Sequence, residues 1–432
     1  MSLKRNAMLL IVASGLLAIL SYWSGDPALQ GSWRFAGALL LAGLAYESWS
    51  VTRSAAAVEL DAPGAFYLGR EATVRFLCRH RAARAVVLEI APSAPPSFDG
   101  ELGPGSLRIA ADSVAALERT VSATRLGAFP WPPVRFRIAG PLGLAWWPKS
   151  ASIVREARVL PDLFRQESEA RAMAAAGARL GLKVGAGTEV MRLREYRPGD
   201  APRVIDWKAT ARADRLVSRD FAEDRRLQIV IAVDAGRTSG LRAGTLDRFG
   251  HYVNVAARLA QRAALGDDAV GLVVYADRPI AVVPPMRGME GVARLRAALA
   301  AARVTRTESN PLHAAMRVRS LVHRRSLIVM LTDVDDTNAA SQLVQGVRLL
   351  LPMHLPFVAG LSSAAAEAMA AAPARHWLDP YRALAAQEYS VGLTRKVRAL
   401  RAWGAPALVA KPEQLELAVI SAYEEFRRRR RA

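Results

Sequence analysis

In the second half of the chain, short runs of almost wholly apolar residues alternate with segments of helical patterning, and this alternation constrains the fold most. The runs 227–233, 269–275 and 326–331 are as long as single strands and leave no polar face. Strands of this kind are buried on both faces of a parallel sheet. The pattern predicts an α/β doubly wound parallel sheet, in a domain of residues 227–432 that ends in a basic tail.

The same patterning predicts the other elements of this domain. Helices are expected at about 246–265, 289–302, 338–350 and from 412 onward, a short edge strand at 280–283, and further strands at 354–359 and 407–410.

Two acidic residues stand directly after strands of the predicted sheet. Asp234 follows the run 227–233, and Asp333 closely follows the run 326–331. Open parallel sheets bind ligands at the carboxyl ends of their strands, so both aspartates are candidates for a functional site. In the alternative, they only cap helices and accept hydrogen bonds from backbone amides.

Two apolar runs near the start of the chain, 7–23 and 33–49, predict a two-helix transmembrane hairpin. Each run is about long enough to cross the hydrocarbon core, although on the short side. Lys4 and Arg5 precede the hairpin and Arg53 follows it, so the positive-inside rule predicts that both ends face the cytoplasm. We therefore expect a multi-pass protein of the inner membrane with a cytoplasmic soluble part.

Arg34 and Glu47 lie near the two ends of the second run, from where both are expected to snorkel toward water. In the alternative, the chain starts with a cleavable signal peptide that is followed by a buried helix. The second apolar run and the lack of a small-residue cleavage site favour the hairpin, which occupies residues 1–52. Cys78 is the one cysteine of the chain, in agreement with a reducing compartment.

Short alternating runs separated by turn-forming residues fill the next segment, 53–145. Examples are 72–78, 85–90 and 134–138. Alternation with a period of two predicts a small antiparallel β-sandwich, in which Cys78 packs as a small apolar side chain. Residues 146–226 are expected to connect this segment to the α/β domain.

Within the connector, the segment 193–212 combines many acids and bases with a few large apolar residues. Asp200 is expected to N-cap a short helix that tolerates Pro202 in its first turn. From this helix, Ile205 and Trp207 are expected to reach inward. The charged side chains can pair bidentately and fix the orientation of two domains. The alternative is a solvated loop with incidental charges.

This segment closely resembles the signature of the bacterial domain-of-unknown-function family 58 (DUF58), which reads R-E-Y-x-P-G-D-x-x-R-x-I-D-W-x-x-[ST]-A-R. The matching residues are Arg194, Glu195, Tyr196, Pro198, Gly199, Asp200, Arg203, Ile205, Asp206, Trp207, Thr210, Ala211 and Arg212. The resemblance implies a membrane anchor, a β-rich segment, the signature and a von Willebrand factor type A-like domain, in that order. Residues 141–144 also resemble the D-P-L-G-L motif of the family, with Gly140 in place of the aspartate.

The von Willebrand factor type A-like fold implies a MIDAS-like metal site, with D-x-S-x-S after the first strand. Gly236 stands here where the family has its first serine and offers no hydroxyl, and Arg237 beside it would repel a cation. Mg²⁺ keeps several waters, so a water can replace the lost ligand in a degenerate site. The residues that match the implied site are Asp234, Thr238, Thr307 or Ser309, and Asp333.

The chain of 432 residues carries a formal net charge of +20, and residues 427–431 are five consecutive arginines. A basic surface suits nucleic acid, anionic lipid or an acidic protein partner. The tail can bind anionic lipid near a membrane or remain solvated. No aromatic interleaving and no nucleic-acid motif accompanies the charge, so nucleic acid is not favoured.

Three classes of function follow. The first is a membrane-anchored interaction or scaffold protein; the family resemblance implies a MoxR-type AAA+ ATPase and other membrane proteins as partners, in the assembly or remodelling of a protein complex. The second is a metal-assisted hydrolase that uses Asp234 and Asp333. The six histidines show no ligand spacing and no G-x-S-x-G motif is present, so no catalytic residue is assigned. The third is a nucleic-acid or anionic-lipid binder.

Overall fold

The computed structural model describes residues 1–24, 31–163, 190–198, 202, 205–221, 226–335 and 337–431. The chain divides into two compact units, Met1–Leu160 and Pro161–Ala432. Both N-terminal helices and the β-rich region belong to the first unit, and the signature segment and the α/β region belong to the second. The finer division into four segments stays a prediction.

The first unit is rich in short strands. Its described elements are β1 (Ser2–Leu3), α1 (Arg5–Ser24), α2 (Ser32–Arg53), β2 (Ala57–Asp61), β3 (Phe66–Tyr67), β4 (Glu71–Arg79), β5 (Val86–Ala91), β6 (Phe98–Gly100), β7 (Gly105–Ile109), β8 (Val114–Ala123), β9 (Gly127–Pro130), β10 (Val134–Ala139), β11 (Ala145–Ala151) and β12 (Glu156–Leu160).

Two mainly antiparallel sheets make up most of this unit, with the strand orders β1-β11-β10-β5-β7 and β2-β4-β8-β6. A third sheet has the order β3-β12-β9. Along β4, Val74, Phe76 and Cys78 are buried while the residues between them are not, as the period of two predicts. Phe66 packs edge-on against Phe98, with ring centroids 4.9 Å apart. The predicted β-rich segment and the buried cysteine are therefore confirmed.

The predicted pair of membrane spans is reduced to one candidate. Among the described residues, only the helix segment Arg5–Trp23 is long and apolar enough to cross a membrane. The composition of α2 does not meet this test, so a multi-pass location is not supported. Glu47 gives a physical reason why α2 is not a candidate span. Its side chain is fully buried in protein, whereas it was predicted to snorkel toward water. The last two turns of α2 pack on protein, which leaves only about 15 residues, or roughly 22 Å, for the apolar core of a membrane.

The carboxylate of Glu47 is held by the turn between β10 and β11. It accepts hydrogen bonds from the backbone N–H groups of Leu142 and Leu144 at 2.9 Å and of Ala145 at 3.0 Å. A Cβ atom at Gly140 would overlap this carboxylate. Glycine at position 140 therefore leaves the space that the carboxylate from α2 occupies.

The second unit alternates strands and helices after an initial strand pair. Its described elements are β13 (Val190–Glu195), α3 (Trp207–Ala213), β14 (Val217–Phe221), β15 (Gln228–Asp234), β16 (Arg242–Ala243), β17 (Leu246–Asp247), α4 (Arg248–Leu265), β18 (Ala269–Tyr275), β19 (Pro279–Met286), α5 (Gly288–Ala301), α6 (Pro311–Leu321), β20 (Leu327–Leu331), α7 (Thr337–Leu350), β21 (Leu355–Leu361), α8 (Ala364–Ala371), α9 (Asp379–Ala402), β22 (Ala407–Ala410) and α10 (Pro412–Arg431).

A six-stranded sheet with the order β19-β18-β15-β20-β21-β22 forms the centre of the second unit. All neighbouring pairs are parallel except β18 and β19. The chain leaves β15 toward β18 on one side and leaves β20 toward β21 on the other, so the topological switch point lies between β15 and β20. Helices and strands lie within a few residues of their predicted positions.

The edge strand is longer than the sequence predicts. It runs over Pro279–Met286 instead of 280–283. The pattern was broken by Pro284 and Pro285, which cannot donate to a sheet ladder. An edge strand tolerates them because only one of its sides pairs, here with β18.

Candidate functional site

Polar residues meet at the carboxyl edge of the six-stranded sheet, beside the switch point. Asp234 is the last residue of β15, Tyr275 is the last residue of β18, and Thr332 and Asp333 follow β20. Parallel neighbours bring these strand ends to the same edge. Asp234 and Thr332 have no solvent exposure and Asp333 is 2% exposed, so the strand ends form a buried polar cluster.

The carboxylate of Asp234 is satisfied by neutral donors. Its Oδ1 accepts hydrogen bonds from the backbone N–H of Gly236 at 2.8 Å and from the hydroxyl of Ser309. Its Oδ2 accepts a hydrogen bond from the hydroxyl of Thr332 at 2.6 Å. Burial raises the pKa of Asp234 to about 6, although the hydrogen bonds oppose this shift. The group therefore titrates close to neutral pH.

Asp333 is paired with a cation from the chain itself. The Arg248 guanidinium lies 3.0 Å from its Oδ2, and the Tyr252 hydroxyl donates to its Oδ1 at 2.7 Å. Burial raises the pKa of Asp333, and the charge of Arg248 opposes this rise. The side chain of Arg248 is 7% exposed, so the ion pair is removed from solvent.

Arg248 also joins the cluster to Asp335. Its guanidinium donates to the two carboxylate oxygens of Asp335 at 3.2 and 3.0 Å, a bidentate geometry. Tyr389 donates to the same carboxylate at 2.7 Å. Although burial opposes it, these interactions lower the pKa of Asp335. One buried arginine thus binds two aspartates of the loop after β20.

The structure brings together some of the residues that the sequence singled out and separates others. Ser309 and Asp234 are hydrogen-bonded, whereas Asp333 turns toward Arg248. Thr307 is exposed and donates to Asp277 at 3.1 Å. Thr238 lies half-buried in a 3-10 turn at Arg237–Gly240. The role of Asp234 as a hydrogen-bond acceptor at a strand end therefore agrees with the alternative interpretation.

The oxygen atoms that could coordinate a metal ion in this arrangement do not fit Mg²⁺. Both oxygens of Asp234 already accept hydrogen bonds, and a guanidinium occupies the place beside Asp333 where a cation would lie. A Cβ atom at Gly236 would overlap the Ser309 hydroxyl, so the first serine of the D-x-S-x-S motif has no room. In the described part of the chain, no three His, Cys, Asp or Glu side chains are grouped to hold a metal ion.

Sequence reasoning missed the four side chains that complete the cluster, namely Arg248, Tyr252, Thr332 and Asp335. One signal was available for Arg248, which is the first residue of α4. A cation at a helix N-terminus opposes the helix dipole, so its presence there indicates a specific anionic partner. Which anion pairs with Arg248 depends on the order of the strands in the sheet. The position of one residue in the sequence does not reveal this order.

The buried thiol of the first unit is not a reactive group. Burial raises the pKa of Cys78 to about 11. The ring of His80 is engaged with backbone groups, since Nδ1 accepts from the Ala82 N–H at 3.1 Å and Nε2 lies 3.2 Å from the Ile109 carbonyl oxygen. A thiolate–imidazole pair is therefore not formed.

The signature segment folds differently from its prediction. The helix α3 is N-capped by Asp206, whose Oδ1 accepts from the Ala209 N–H at 2.9 Å. Trp207 is 66% exposed, so the prediction that it faces inward is wrong. Asp206 starts the helix at its own position and thereby directs the next side chain outward. The predicted cap Asp200, together with Gly199 and Arg203, lies outside the described residues.

The rest of the described signature forms a small hydrogen-bonded unit. The Asp206 carboxylate pairs with Arg219 on β14 at 2.9 Å, and these contacts lower its pKa. The hydroxyl of Thr210 accepts a hydrogen bond from the backbone N–H of Val217 at 3.1 Å. Glu195 lies 3.8 Å from Arg215. The other signature residues that the structure describes are Arg194, Tyr196, Pro198, Ile205, Ala211 and Arg212.

Comparison with known proteins gives partial matches. Residues 192–349 match the family described as "Protein of unknown function DUF58". Uncharacterized proteins of Mycobacterium bovis and Mycobacterium tuberculosis are 28% identical over 114 residues, which cover 26% of this chain and 36% of theirs. The chain thus matches little more than a third of the length of these relatives.

Solved structures overlap with this chain only at low TM-scores. A conserved hypothetical protein, BatB, from Bacteroides thetaiotaomicron is 15% identical with a TM-score of 0.27, over 31% of this chain and 66% of that chain. The CARDB domain of a Pyrococcus furiosus protein is 9% identical with a TM-score of 0.16, over 23% of this chain and 93% of that chain. Overlaps of this extent support no conclusion about fold or function. Residues 192–349, which span the signature and most strands of the α/β sheet, thus resemble the DUF58 family, whose description states no function.

Proposed function

We propose that the chain is a membrane-anchored interaction protein whose α/β unit binds an acidic surface of a partner through the rim of the strand-end cluster. The observation that supports this proposal is the division of the site into a buried interior and an exposed, charged rim. The interior carboxylates are hydrogen-bonded or paired with Arg248, and they are closed to solvent. Buried carboxylates of this kind hold loops in place and do not contact a substrate.

The loops around the cluster are tied to one another by their backbones. The N–H of Thr305 donates to the carbonyl of Ala235, and the N–H of Arg237 donates to the carbonyl of Thr307, both at 2.8 Å. The N–H of Asn310 donates to the carbonyl of Ala276 at 2.7 Å. A rim fixed in this way loses little conformational entropy on binding, as recognition surfaces require.

The rim presents charge to solvent. Arg237 and Glu308 lie 3.3 Å apart, with 59% and 54% of their side chains exposed. Asp277, which accepts a hydrogen bond from Thr307, and its exposed neighbours Arg278 and Arg306 lie on the same loops, so these five charged side chains leave the rim with one net positive charge. Exposed pairs of this type contribute little to stability, so their charges remain available to steer and orient a partner.

The partner and the anchor complete the proposal. A MoxR-type AAA+ ATPase is the partner that the family resemblance implies, in the assembly or remodelling of a protein complex. The helix α1 is the proposed anchor because it has the length and apolarity of a span. We propose that the folded units face the cytoplasm, which the net charge of +20 and the single cysteine support.

The proposal is tested by affinity capture of the ATPase with the detergent-solubilised full chain. Arg237→Glu should lower its recovery about tenfold, because a like charge then faces the acidic partner. Asp234→Ala should lower it as well, because the loops lose their common acceptor.

A charge swap is the matched control. Arg237→Glu combined with Glu308→Arg restores the ion pair between the two side chains. The negative charge then stands at position 237 and the positive charge at position 308. If the swap recovers as much partner as the wild type, the pair serves only the local fold. If all three variants capture the ATPase as well as the wild type does, the rim is not the binding surface.

A further inference from the structure

One face of α9 is exposed along almost the whole helix. The buried residues Ala386, Leu393 and Leu400 recur at every seventh position and lie on the other side. At about 100° per residue, rows of residues three and four apart share a face. The face opposite the buried residues carries ten positions, which we call the α9 stripe: Tyr381, Leu384, Ala385, Glu388, Val391, Gly392, Arg395, Arg398, Ala399 and Ala402.

The α9 stripe presents apolar surface to solvent. Tyr381 is 67% exposed, Leu384 is 55% exposed and Val391 is 49% exposed. Of the ten positions, only Gly392 is half-buried, and the others are exposed. A continuous apolar row on a surface helix is typical of a contact with another helix.

The positions of the α9 stripe are symmetric about a point between Val391 and Gly392. Reversal of the helix places each position opposite another position of the stripe, in the pairs Tyr381 with Ala402, Leu384 with Ala399, Ala385 with Arg398, Glu388 with Arg395, and Val391 with Gly392. In four of these pairs a larger side chain meets alanine or glycine. In the fifth pair, the one acid of the stripe meets a base.

The charges of the α9 stripe favour the antiparallel direction. Glu388 and Arg395 are exposed, and neither forms an ion pair within the described part of the chain. An antiparallel copy brings Glu388 opposite Arg395 twice, because a two-fold axis repeats every contact. A parallel copy would instead bring Glu388 opposite Glu388 and Arg395 opposite Arg395, and like charges at such positions are destabilising.

Gly392 is the second sign of a close neighbour. Glycine in the interior of a helix destabilises it relative to alanine. The φ of Gly392 is not positive, so the backbone does not require glycine here. A Cβ atom at this position would have no neighbour within 4 Å, so packing inside the described chain does not require it either. A missing side chain at the centre of the stripe lets the backbone of a second helix approach closely.

We propose that α9 binds the α9 of a second copy of this chain, antiparallel about a two-fold axis between Val391 and Gly392. Such an interface is isologous, so both copies use the same stripe. A membrane surface is disfavoured because Glu388 and Arg395 stand near the centre of the stripe. Ten residues from each copy make a small interface, so we expect a dimer that dissociates on dilution. The inference does not depend on the proposed ATPase partner.

The test is the monomer–dimer equilibrium of the detergent-solubilised full chain, measured by light scattering over a range of concentrations. Glu388→Arg should raise the dissociation constant of the dimer about tenfold, because like charges then face each other twice. Glu388→Arg combined with Arg395→Glu should restore it, because opposite charges meet again in exchanged places. Glu59→Arg on β2 is the matched control, since Glu59 is also exposed and forms no ion pair within the described residues. It should dimerise as the wild type does.

Gly392→Ala separates dimerisation from the stability of the helix. Alanine favours the helix of the monomer, so thermal unfolding of the diluted chain should not occur at a lower temperature. Its Cβ atom would hold two helices apart, so the dissociation constant of the dimer should rise.

Cysteine cross-linking tests the direction of the helices. A short thiol cross-linker should join two copies of Val391→Cys, because these positions lie about 1.5 Å apart along the helix axis. It should not join two copies of Leu384→Cys, which lie about 22 Å apart along the axis in an antiparallel pair. Cys78 is buried and leaves little background.

Three results in the equilibrium measurement would overturn the inference. The wild type stays a monomer at every concentration, or the charge swap dimerises no better than Glu388→Arg, or Gly392→Ala dimerises like the wild type. Cross-linking of Leu384→Cys as efficiently as Val391→Cys would show a parallel pair and would contradict the inference as well.

Discussion

At the scale of single residues, two aspartates at neighbouring strand ends have different environments. Asp333 is neutralised by Arg248, whereas no Lys or Arg side chain that the structure describes forms an ion pair with Asp234. Hydrogen bonds from hydroxyl and amide groups stabilise a carboxylate less than a buried cation does. The ionised form of Asp234 therefore costs stability, and this cost depends on pH.

Asp234→Asn should remove this pH dependence. The pKa of Asp234 is raised from 3.8 to about 6, so the folded protein binds the proton more tightly than the unfolded chain does. The cost is absent below about pH 4, grows as pH rises through 6, and reaches at most about 3 kcal/mol. Urea unfolding of the full chain should show a smaller loss between about pH 4 and 7 for the asparagine variant than for the wild type.

Asp333→Asn is the control, because its partner is a buried guanidinium. It should lose about 3 kcal/mol at neutral pH, since Arg248 then keeps a buried charge with one partner fewer. Equal pH dependence of the wild type and Asp234→Asn would refute the assignment. A stabilisation by Mg²⁺ that is present in the wild type and lost in Asp234→Asn would show that a cation enters the site after all.

At the scale of secondary-structure elements, one carboxylate joins α2 to the turn between β10 and β11. Glu47 accepts three backbone hydrogen bonds there and is fully buried. Aspartates commonly make such bonds to the amides of their own turn. In this chain the acceptor comes from a helix almost a hundred residues earlier, so the turn and the helix stabilise each other.

Because Glu47 supplies the carboxylate that the turn needs, we predict that a second substitution in the turn can compensate for its loss. Glu47→Ala should cost about 3 kcal/mol because it leaves buried amides without an acceptor. Gly140→Asp alone should also destabilise, because its side chain would overlap the Glu47 carboxylate. The double variant should be more stable than either single variant, because Asp at 140 supplies the missing carboxylate. Thermal unfolding in detergent measures all three.

Gly140→Ala is the control for the double variant. Alanine brings the same Cβ atom without a carboxylate. When it is combined with Glu47→Ala, it should therefore not restore the stability that Glu47→Ala loses. Strictly additive losses in the Glu47→Ala, Gly140→Asp pair would mean that the two carboxylates do not occupy the same place in the turn.

At the scale of the whole molecule, the connectivity of the first unit restricts how the chain meets a membrane. Strand β1 precedes α1 and pairs with β11, and β2 follows α2 and pairs with β4. The chain therefore enters α1 from the β-rich unit and returns to the same unit after α2. If α1 crossed a membrane, this pairing would require the chain to return before β2 begins, and the one candidate span among the described residues does not provide that return.

Reporter tags test this restriction. One tag is inserted between α1 and α2, and another is placed at the C-terminus. If α1 crosses the membrane, the two tags should be accessible from opposite sides, with the C-terminal tag in the cytoplasm. Accessibility of both tags from the same side would show that α1 lies on the membrane surface or is anchored in another way. A tag at the N-terminus is the control, and it should share the side of the C-terminal tag.

Local sequence patterns suffice to identify the elements of the second unit and the edge of the sheet at which its polar residues meet. Apolar runs of strand length and helical periodicity are local properties, so β18 and β22 lie at the predicted residues. The position of Asp234 and Asp333 directly after strands then sufficed to place them at one edge of a parallel sheet. Exposed loops are less determined by local patterns, and the exposure of Trp207 on α3 was not predicted.

The groups that these acids contact follow from tertiary packing and not from local patterns. Tyr252 and Asp333 are 81 residues apart in sequence, and Glu47 and Leu144 are 97 residues apart. No local pattern records such contacts, because they depend on which strands become neighbours and on how helices return to the sheet. For the same physical reason, the family resemblance implied a metal site and an apolar run predicted a second membrane span, whereas packing placed an arginine beside Asp333 and a buried carboxylate near the end of α2.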